Sequence, residues 1–148
     1  MKLFKKVSAM LVSLLMGLAM VVPVAAANPT ITVKNIATDE NVTLSYLKVV
    51  KQDKTTKTGW AFVSDEVTKI FKEEYKKNDA QAILASLANS AAHSKALARL
   101  GNLNGFTEFT DNAGRKTEVD GAGLYVVKVV DNSNKYTYNV MAAPINFD

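Results

Sequence analysis

The sequence predicts a mainly β domain that follows an N-terminal leader and contains one helical stretch. Short runs rich in Val, Ile, Thr and Tyr recur along the chain, and polar or glycine-containing turns separate them. The two clearest runs, residues 124–130 and 136–141, flank the polar residues 131–134 and predict a hairpin. Only the middle of the chain shows the apolar spacing of helices. A chain of 148 residues suits one modest domain.

The N-terminus has the pattern of a secretory signal peptide, which we assign to residues 1–27. Lysines precede a mostly apolar run at residues 7–22, and Pro23 ends that run. The alanines at positions 25–27 suit a signal peptidase and predict cleavage before Asn28. The alternative is an uncleaved membrane anchor, because the leader is close to the roughly 20 residues that a membrane span needs.

Removal of the leader leaves a nearly neutral domain at residues 28–148. Three of the 18 basic residues lie in the leader, so 15 basic residues remain against 14 acidic ones. Without a basic stripe, nucleic acid is not expected as a partner. The chain has no cysteine, so the domain folds by packing alone. We expect an exported protein that meets the membrane only through its signal peptide.

About seven short strands are predicted in the exported part, and each is bounded by turn residues. They cover residues 29–36, 42–50, 59–63, 106–109, 115–119, 124–130 and 136–141. Many short strands at this spacing, interrupted once by helices, are typical of an immunoglobulin-like β-sandwich with a helical insertion.

The helical insertion is assigned to about residues 64–100. Ser64 or Asp65 is expected to cap its first helix, and Asp79 a second one. The second helix is expected to stop at Gly101, with a weak point within residues 90–94.

The sequence contains no motif for catalysis, cofactor binding or metal binding. His93 is the only histidine, so a zinc site or a nucleophile–histidine pair is not expected, and we assign His93 to the surface. The few glycines match no phosphate-binding loop. An enzyme is therefore not expected.

Lys48 is the one unusual residue, because it lies on the apolar face of the second predicted strand. The other residues of that face are Val42, Leu44, Tyr46 and Val50. A lysine on such a face is costly unless its charge is paired, hydrated or removed.

Three interpretations of Lys48 remain open. Its head can extend to water at the strand end, or it can pair with an acid. It can also form an amide bond with an asparagine side chain, since burial makes the amine nucleophilic and a protonated acid polarises the asparagine carbonyl. The possible acceptors are Asn139 and Asn146, and the possible acids are Glu108 and Glu118. Strand alternation turns Asn139 away from the core, which weakens it as an acceptor.

Four sequence motifs occur in a recognisable order along the exported part. Residues 31–35 read Ile-Thr-Val-Lys-Asn, and residues 46–51 read Tyr-Leu-Lys-Val-Val-Lys. Trp60 precedes an Ala-rich helical insert. Gly-Leu-Tyr-Val-Val at residues 123–127 is followed by Tyr-Thr-Tyr-Asn-Val-Met at residues 136–141. In this order the motifs resemble the N-terminal region of Gram-positive sortase-assembled pilin and fimbrial subunits.

This resemblance implies an immunoglobulin-like domain in a pilus or a surface adhesin. Such domains are often hardened by Lys–Asn isopeptide bonds. It also implies a position at the cell surface of a Gram-positive bacterium, with other pilin subunits or a host or envelope ligand as partners.

The chain departs from the family in having no LPxTG-type sorting signal, no pilin lysine motif and no C-terminal apolar span. Sortase polymerisation therefore cannot be carried over. We interpret the chain as a truncated or single-domain pilin subunit with a structural or adhesive, non-catalytic role. A free secreted ligand-binding module is the alternative, and a small secreted enzyme is the least favoured interpretation.

Overall fold

The computed structural model describes residues 5–7, 12–14, 28–37, 39–87 and 91–147. For residues 5–7, 12–14 and 91 only the backbone is described. Most of the predicted signal peptide, including the alanines before Asn28, lies outside these residues.

The described residues form ten strands and three helices. The strands are β1 (Lys5–Val7), β2 (Val12–Leu14), β3 (Thr30–Val33), β4 (Val42–Gln52), β5 (Trp60–Phe62), β6 (Thr107–Glu108), β7 (Lys116–Glu118), β8 (Gly123–Asp131), β9 (Tyr136–Tyr138) and β10 (Met141–Ile145). The helices are α1 (Asp65–Tyr75), α2 (Ala80–Ala85) and α3 (Ala91–Leu100).

The strands form two sheets that are not closed into a barrel. The larger sheet has the order β10-β8-β4-β5, with β6 also paired to β4. The smaller sheet has the order β2-β3-β7, and β1 makes a separate parallel pairing with β9. The prediction of a mainly β chain with a few short helices in its middle is confirmed.

The long antiparallel ladder of β4 and β8 forms the centre of the larger sheet. It runs from Val42 opposite Asp131 to Lys51 opposite Gly123. Nearly every residue of β8 is buried. A strand with this pattern has both faces covered, since a strand with one wet face alternates between apolar and polar residues.

One face of the larger sheet packs against the smaller sheet. Their shared core contains apolar side chains of β3, β4, β8 and β10. Its buried members are Ile31, Val33, Ile36, Val42, Leu44, Phe109, Val119, Tyr125, Val127, Val129, Met141, Ala143 and Ile145. This first core lies between two sheets, as in a β-sandwich.

The other face of the larger sheet packs against the three helices. Its buried members are Val49, Val50, Phe62, Val67, Ile70, Phe71, Ile83, Leu84, Leu87, Ala96, Leu97, Leu100, Leu124 and Val126. The helical insertion is therefore a third layer that covers the sheet, and the order of layers is small sheet, large sheet, helices.

The helix ends follow the expected capping chemistry. Ser64 is the N-cap of α1, and its hydroxyl oxygen accepts a hydrogen bond from the Val67 amide at 3.2 Å. The Asp79 carboxylate accepts hydrogen bonds from the amides of Gln81 and Ala82 at the start of α2. α3 ends one residue before Gly101, as predicted. The weak point predicted within residues 90–94 is wrong, because α2 already ends at Ala85 and residues 91–94 lie in α3.

The predicted hairpin has a later second strand than expected. The strand that returns to pair with β8 is β10, from Met141 opposite Val127 to Ile145 opposite Gly123. The Asp131 carboxylate fixes the turn after β8, because it accepts hydrogen bonds from three main-chain amides and one hydroxyl of the turn. β9 follows this turn but pairs with β1 instead of β8.

A β-bulge between Lys48 and Val50 changes the face of the second half of β4. Lys48 pairs with Tyr125 and faces the sandwich core, whereas Val50 pairs with Leu124. The prediction that Val50 shares the face of Lys48 is therefore wrong, because one extra residue in the strand reverses the alternation. A methyl group added to Gly123 would overlap the Val50 carbonyl oxygen and lie 2.8 Å from Lys48 Cε.

We expect Gly123→Ala to lower the free energy of unfolding by about 3 kcal/mol, because backbone must move to admit the methyl group. Gly121→Ala is the matched control. It has a φ of +74° but nothing within 4 Å of the added atom, so only the backbone strain of about 1 kcal/mol applies. Urea unfolding of both variants measures the difference, and equal losses would contradict the close approach at the bulge.

The Asp131 turn predicts a specific response to acid. Hydrogen bonds from the Ser133 hydroxyl and from main-chain amides lower the pKa of Asp131 to about 2. Because this pKa lies below its unfolded value, the ionised side chain stabilises the fold above about pH 4. That stabilisation is lost as the pH falls through about 2. We expect Asp131→Asn to lower the urea midpoint at pH 7 and to show a smaller further loss between pH 4 and pH 2.

Ser133→Ala is the companion variant, since it keeps the carboxylate and removes the hydroxyl that contributes most to its low pKa. An NMR titration should show the pKa of Asp131 moving up toward its ordinary value. The same acid sensitivity in the wild type and in Asp131→Asn would contradict the assignment.

Candidate functional site

Lys48 lies at the end of the sandwich core, with its stem over the apolar face of β4. Its Nζ donates a hydrogen bond to the main-chain carbonyl oxygen of Asp120 at 2.6 Å. The same Nζ lies 5.5 Å from the centroid of the Tyr125 ring. The side chain is half-buried. The head therefore binds a main-chain carbonyl oxygen, a partner that none of the three interpretations named.

Tyr125 faces Lys48 across the ladder and binds the same turn. Its hydroxyl lies 2.7 Å from the Asp120 carbonyl oxygen and 2.8 Å from the Gly121 carbonyl oxygen. Burial, with smaller contributions from Asp120 and Tyr46, raises the pKa of the Tyr125 hydroxyl. The hydroxyl therefore keeps its proton at neutral pH and remains a donor to the turn.

We call this group, Lys48, Asp120, Gly121, Gly123 and Tyr125, the Lys48 corner. Two strong donors converge there on main-chain carbonyls that precede β8. The Lys48 bond joins β4 to the segment before β8, and the Tyr125 bonds fix that segment onto β8 itself. The corner therefore stabilises the backbone, because the acceptors of both side chains are main-chain carbonyl oxygens.

The acid partner of the second interpretation is not seen at Lys48 in the described ranges. The ion pairs within the described ranges lie elsewhere and join Arg99 to Glu73 at 2.8 Å and to Glu74 at 3.0 Å. Glu108 is exposed on β6, opposite Ser45. Glu118 is exposed on β7 of the smaller sheet.

The two possible acceptors lie in different places. Asn146 is exposed and follows β10, whose Ile145 pairs with Gly123. It is therefore two strand spacings away from Lys48 and three residues further along the sheet, because Lys48 lies level with Tyr125 and Ala143. Asn139 lies on the helical side of the sheet, beside α3. The structure thus does not bring the five predicted cross-link residues into one cluster, and the cross-link remains a prediction.

Asp120 is the partner that the sequence analysis missed. It acts through its main-chain oxygen, and a carbonyl is common to every residue type. The available signal was the spacing of Tyr125 after the Gly121 turn, because a tyrosine at the start of a strand can donate to the backbone a few residues upstream.

A cavity of about 570 Å³ lies between α3 and the segment that joins β9 to β10. It is lined by His93, Ser94, Leu97, Ala98, Asn139, Val140, Met141 and Ala142. We call it the α3–β10 groove. Its lining is mostly apolar, with an imidazole and an amide as polar groups.

His93 is half-buried in this groove rather than exposed, so the surface assignment was wrong. Packing of α3 against β10 covers it, which the helical spacing alone could not indicate. Burial lowers the pKa of His93, so the ring is neutral at pH 7. Its Nδ1 has no hydrogen-bond partner in the part of the chain that the structure describes.

Metal-binding clusters and membrane-spanning helices are both absent from the described residues. No group of three His, Cys, Asp or Glu residues among them could hold a metal ion. None of the described helices is long and apolar enough to cross a membrane.

Comparison with known proteins identifies no relative. No family model, no curated protein and no solved structure matches the chain.

Proposed function

We propose that this chain is a non-catalytic structural or adhesive protein of the Gram-positive cell surface, similar to the N-terminal domain of a pilin subunit. One observation carries the proposal. Two motifs of the resemblance, residues 46–51 and 123–127, pair with each other in the centre of the larger sheet, from Tyr46 opposite Val127 to Lys51 opposite Gly123. Sequence features that resemble one family thus make a single structural unit.

The immunoglobulin-like character of the sandwich is part of this proposal. Two sheets enclosing one core support it. The Tyr125 hydroxyl supports it further, because it binds carbonyls four and five residues upstream. Immunoglobulin-like domains use a similar tyrosine corner.

The Lys48 corner favours a mechanical role over a catalytic one. Lys48 and Tyr125 both donate to the turn before β8, so Lys48 links this turn to β4 and Tyr125 fixes it to β8. The partners proposed for such a domain are other surface subunits or a ligand of the host or the envelope.

The α3–β10 groove favours the second candidate, a free secreted ligand-binding module. Its volume of about 570 Å³ is in the range of small-molecule sites. His93 and Asn139 supply the few polar groups that such sites use to orient a ligand.

The location of the exported protein separates these two candidates. We express the full chain in a Gram-positive host and measure its distribution between intact cells and medium. Retention on the cells, with digestion by protease added outside, is expected for a surface subunit. A cytoplasmic protein that resists the protease is the control. Recovery only from the medium as a free protein would contradict the proposal and favour the binding module.

The intact mass of the exported protein tests both processing and the cross-link. We expect a chain that begins at Asn28 with the full mass of residues 28–148, because Lys48 Nζ binds a carbonyl and both asparagines lie elsewhere. A mass lower by about 17 Da, the ammonia released on amide formation, would contradict this expectation. Lys48→Arg should then restore the full mass, and Asn146→Ala and Asn139→Ala would identify the acceptor.

A further inference from the structure

The edge of β3 is covered by a strand of the leader. β2 pairs antiparallel with β3, with Val12 opposite Val33, Ser13 opposite Thr32 and Leu14 opposite Ile31. It also lies beside β10, the edge strand of the larger sheet. β2 thus occupies the place where the edges of the two sheets come together.

Removal of the leader, which is part of the proposed function and on which the inference rests, would uncover this edge. The main-chain groups of Val33 point to β7, since its amide donates to the Arg115 carbonyl at 2.8 Å. Main-chain groups alternate sides along a strand, so those of Thr30 and Thr32 face β2. Without β2, the main-chain amides and carbonyls of Thr30 and Thr32 have no strand to pair with. They lie beside the core residues Ile31 and Val33, which are buried in the chain that contains β2.

β3 lacks two of the features that protect edge strands, a charged side chain and a proline. Its four residues, Thr-Ile-Thr-Val, include no charge and no proline. β10 is different, because Pro144 lies within it and cannot donate to a new strand. An uncharged open edge next to a buried core is a template for another strand.

The sequence of β3 resembles that of β2, the strand with which it pairs. β2 reads Val-Ser-Leu, and residues 31–33 read Ile-Thr-Val, so both have a small hydroxyl residue between two aliphatic ones. If a second β3 replaces β2 in the same register, Ile31 lies opposite Val33 of the other copy. Thr32 then lies opposite the Thr32 of that copy. The pairing is symmetric about a two-fold axis through Thr32, which is the commonest symmetry of dimers.

Thr32 lies at the centre of this pairing and is described here in the chain that contains β2. Its Oγ1 is buried and has no hydrogen-bond partner in the described ranges. Buried hydroxyls normally have a partner. Facing threonines on adjacent antiparallel strands hydrogen-bond to each other, so a two-fold pairing would satisfy this group.

We propose that the processed protein forms a dimer through its β3 edge, in which a second copy of β3 takes the place of β2. The two smaller sheets join into one sheet of order β7-β3-β3-β7. In the unprocessed chain the leader strand covers the edge and prevents this pairing. Removal of the leader is thus also the step that permits assembly.

A charge-swap experiment tests the dimer. The exported, processed protein and its variants Thr32→Lys and Thr32→Glu are examined by sedimentation equilibrium over a range of concentrations. The wild type is expected to dimerise. Each single variant places like charges opposite each other and should raise the dissociation constant about tenfold or more. An equimolar mixture of the two variants should restore a heterodimer, which also shows that both variants are folded.

Thr107→Lys is the control, because Thr107 is an exposed threonine on another edge strand, β6. It should leave the dimer unchanged. A processed wild type that is monomeric throughout overturns this inference alone, and so does a dimer that neither Thr32 variant weakens. A chain that keeps residues 1–27, seen by intact mass, overturns this inference and the predicted cleavage before Asn28, because β2 then continues to cover the edge, whereas the protease assay on intact cells decides the proposed surface location separately.

Discussion

The fold depends on the ladder between β4 and β8, which is apolar on both faces. A sheet buried on both sides cannot be stable until each face has a cover. The smaller sheet covers one face and the helices cover the other, so the two cores meet only through the central strands. The helical insertion is therefore a structural requirement of the ladder, since without it Leu124 and Val126 would face water. The Lys48 corner lies at the end of the same ladder, where polar contacts replace the apolar ones.

Local patterns predicted much of this fold. Alternation in β4 placed Lys48 on the face of the sandwich core, and capping rules located the starts of α1 and α2. Two errors arose from strand pairing that alternation cannot detect. The bulge after Lys48 moves Val50 to the other face, and β9 pairs with β1, so that only β10 returns to β8. Both depend on three-dimensional hydrogen bonding, which has no fixed period along the sequence.

The candidate site was harder to predict than the fold. The sequence identified Lys48 as unusual because an isolated charge on an apolar face is visible in the residue order. Its partner is a carbonyl oxygen of Asp120, and side-chain identities cannot reveal a main-chain acceptor. Asn139 and His93 show the same limitation in another form. Their surroundings come from the packing of α3 against β10, elements that are distant in the sequence and meet only in the folded chain.

The hydrogen bond from Lys48 to Asp120 joins residues 72 positions apart. This separation along the sequence affects the rate of folding. A ladder between remote strands forms only after a long loop has closed, so contact order predicts slow folding. The helices between the strands are local and can form early. During synthesis the chain emerges from its N-terminus, so β4 and the helices are available well before β8. The central ladder can close only when residues 123–131 have followed, so the topology itself delays closure of the sheet while the helices are already able to form.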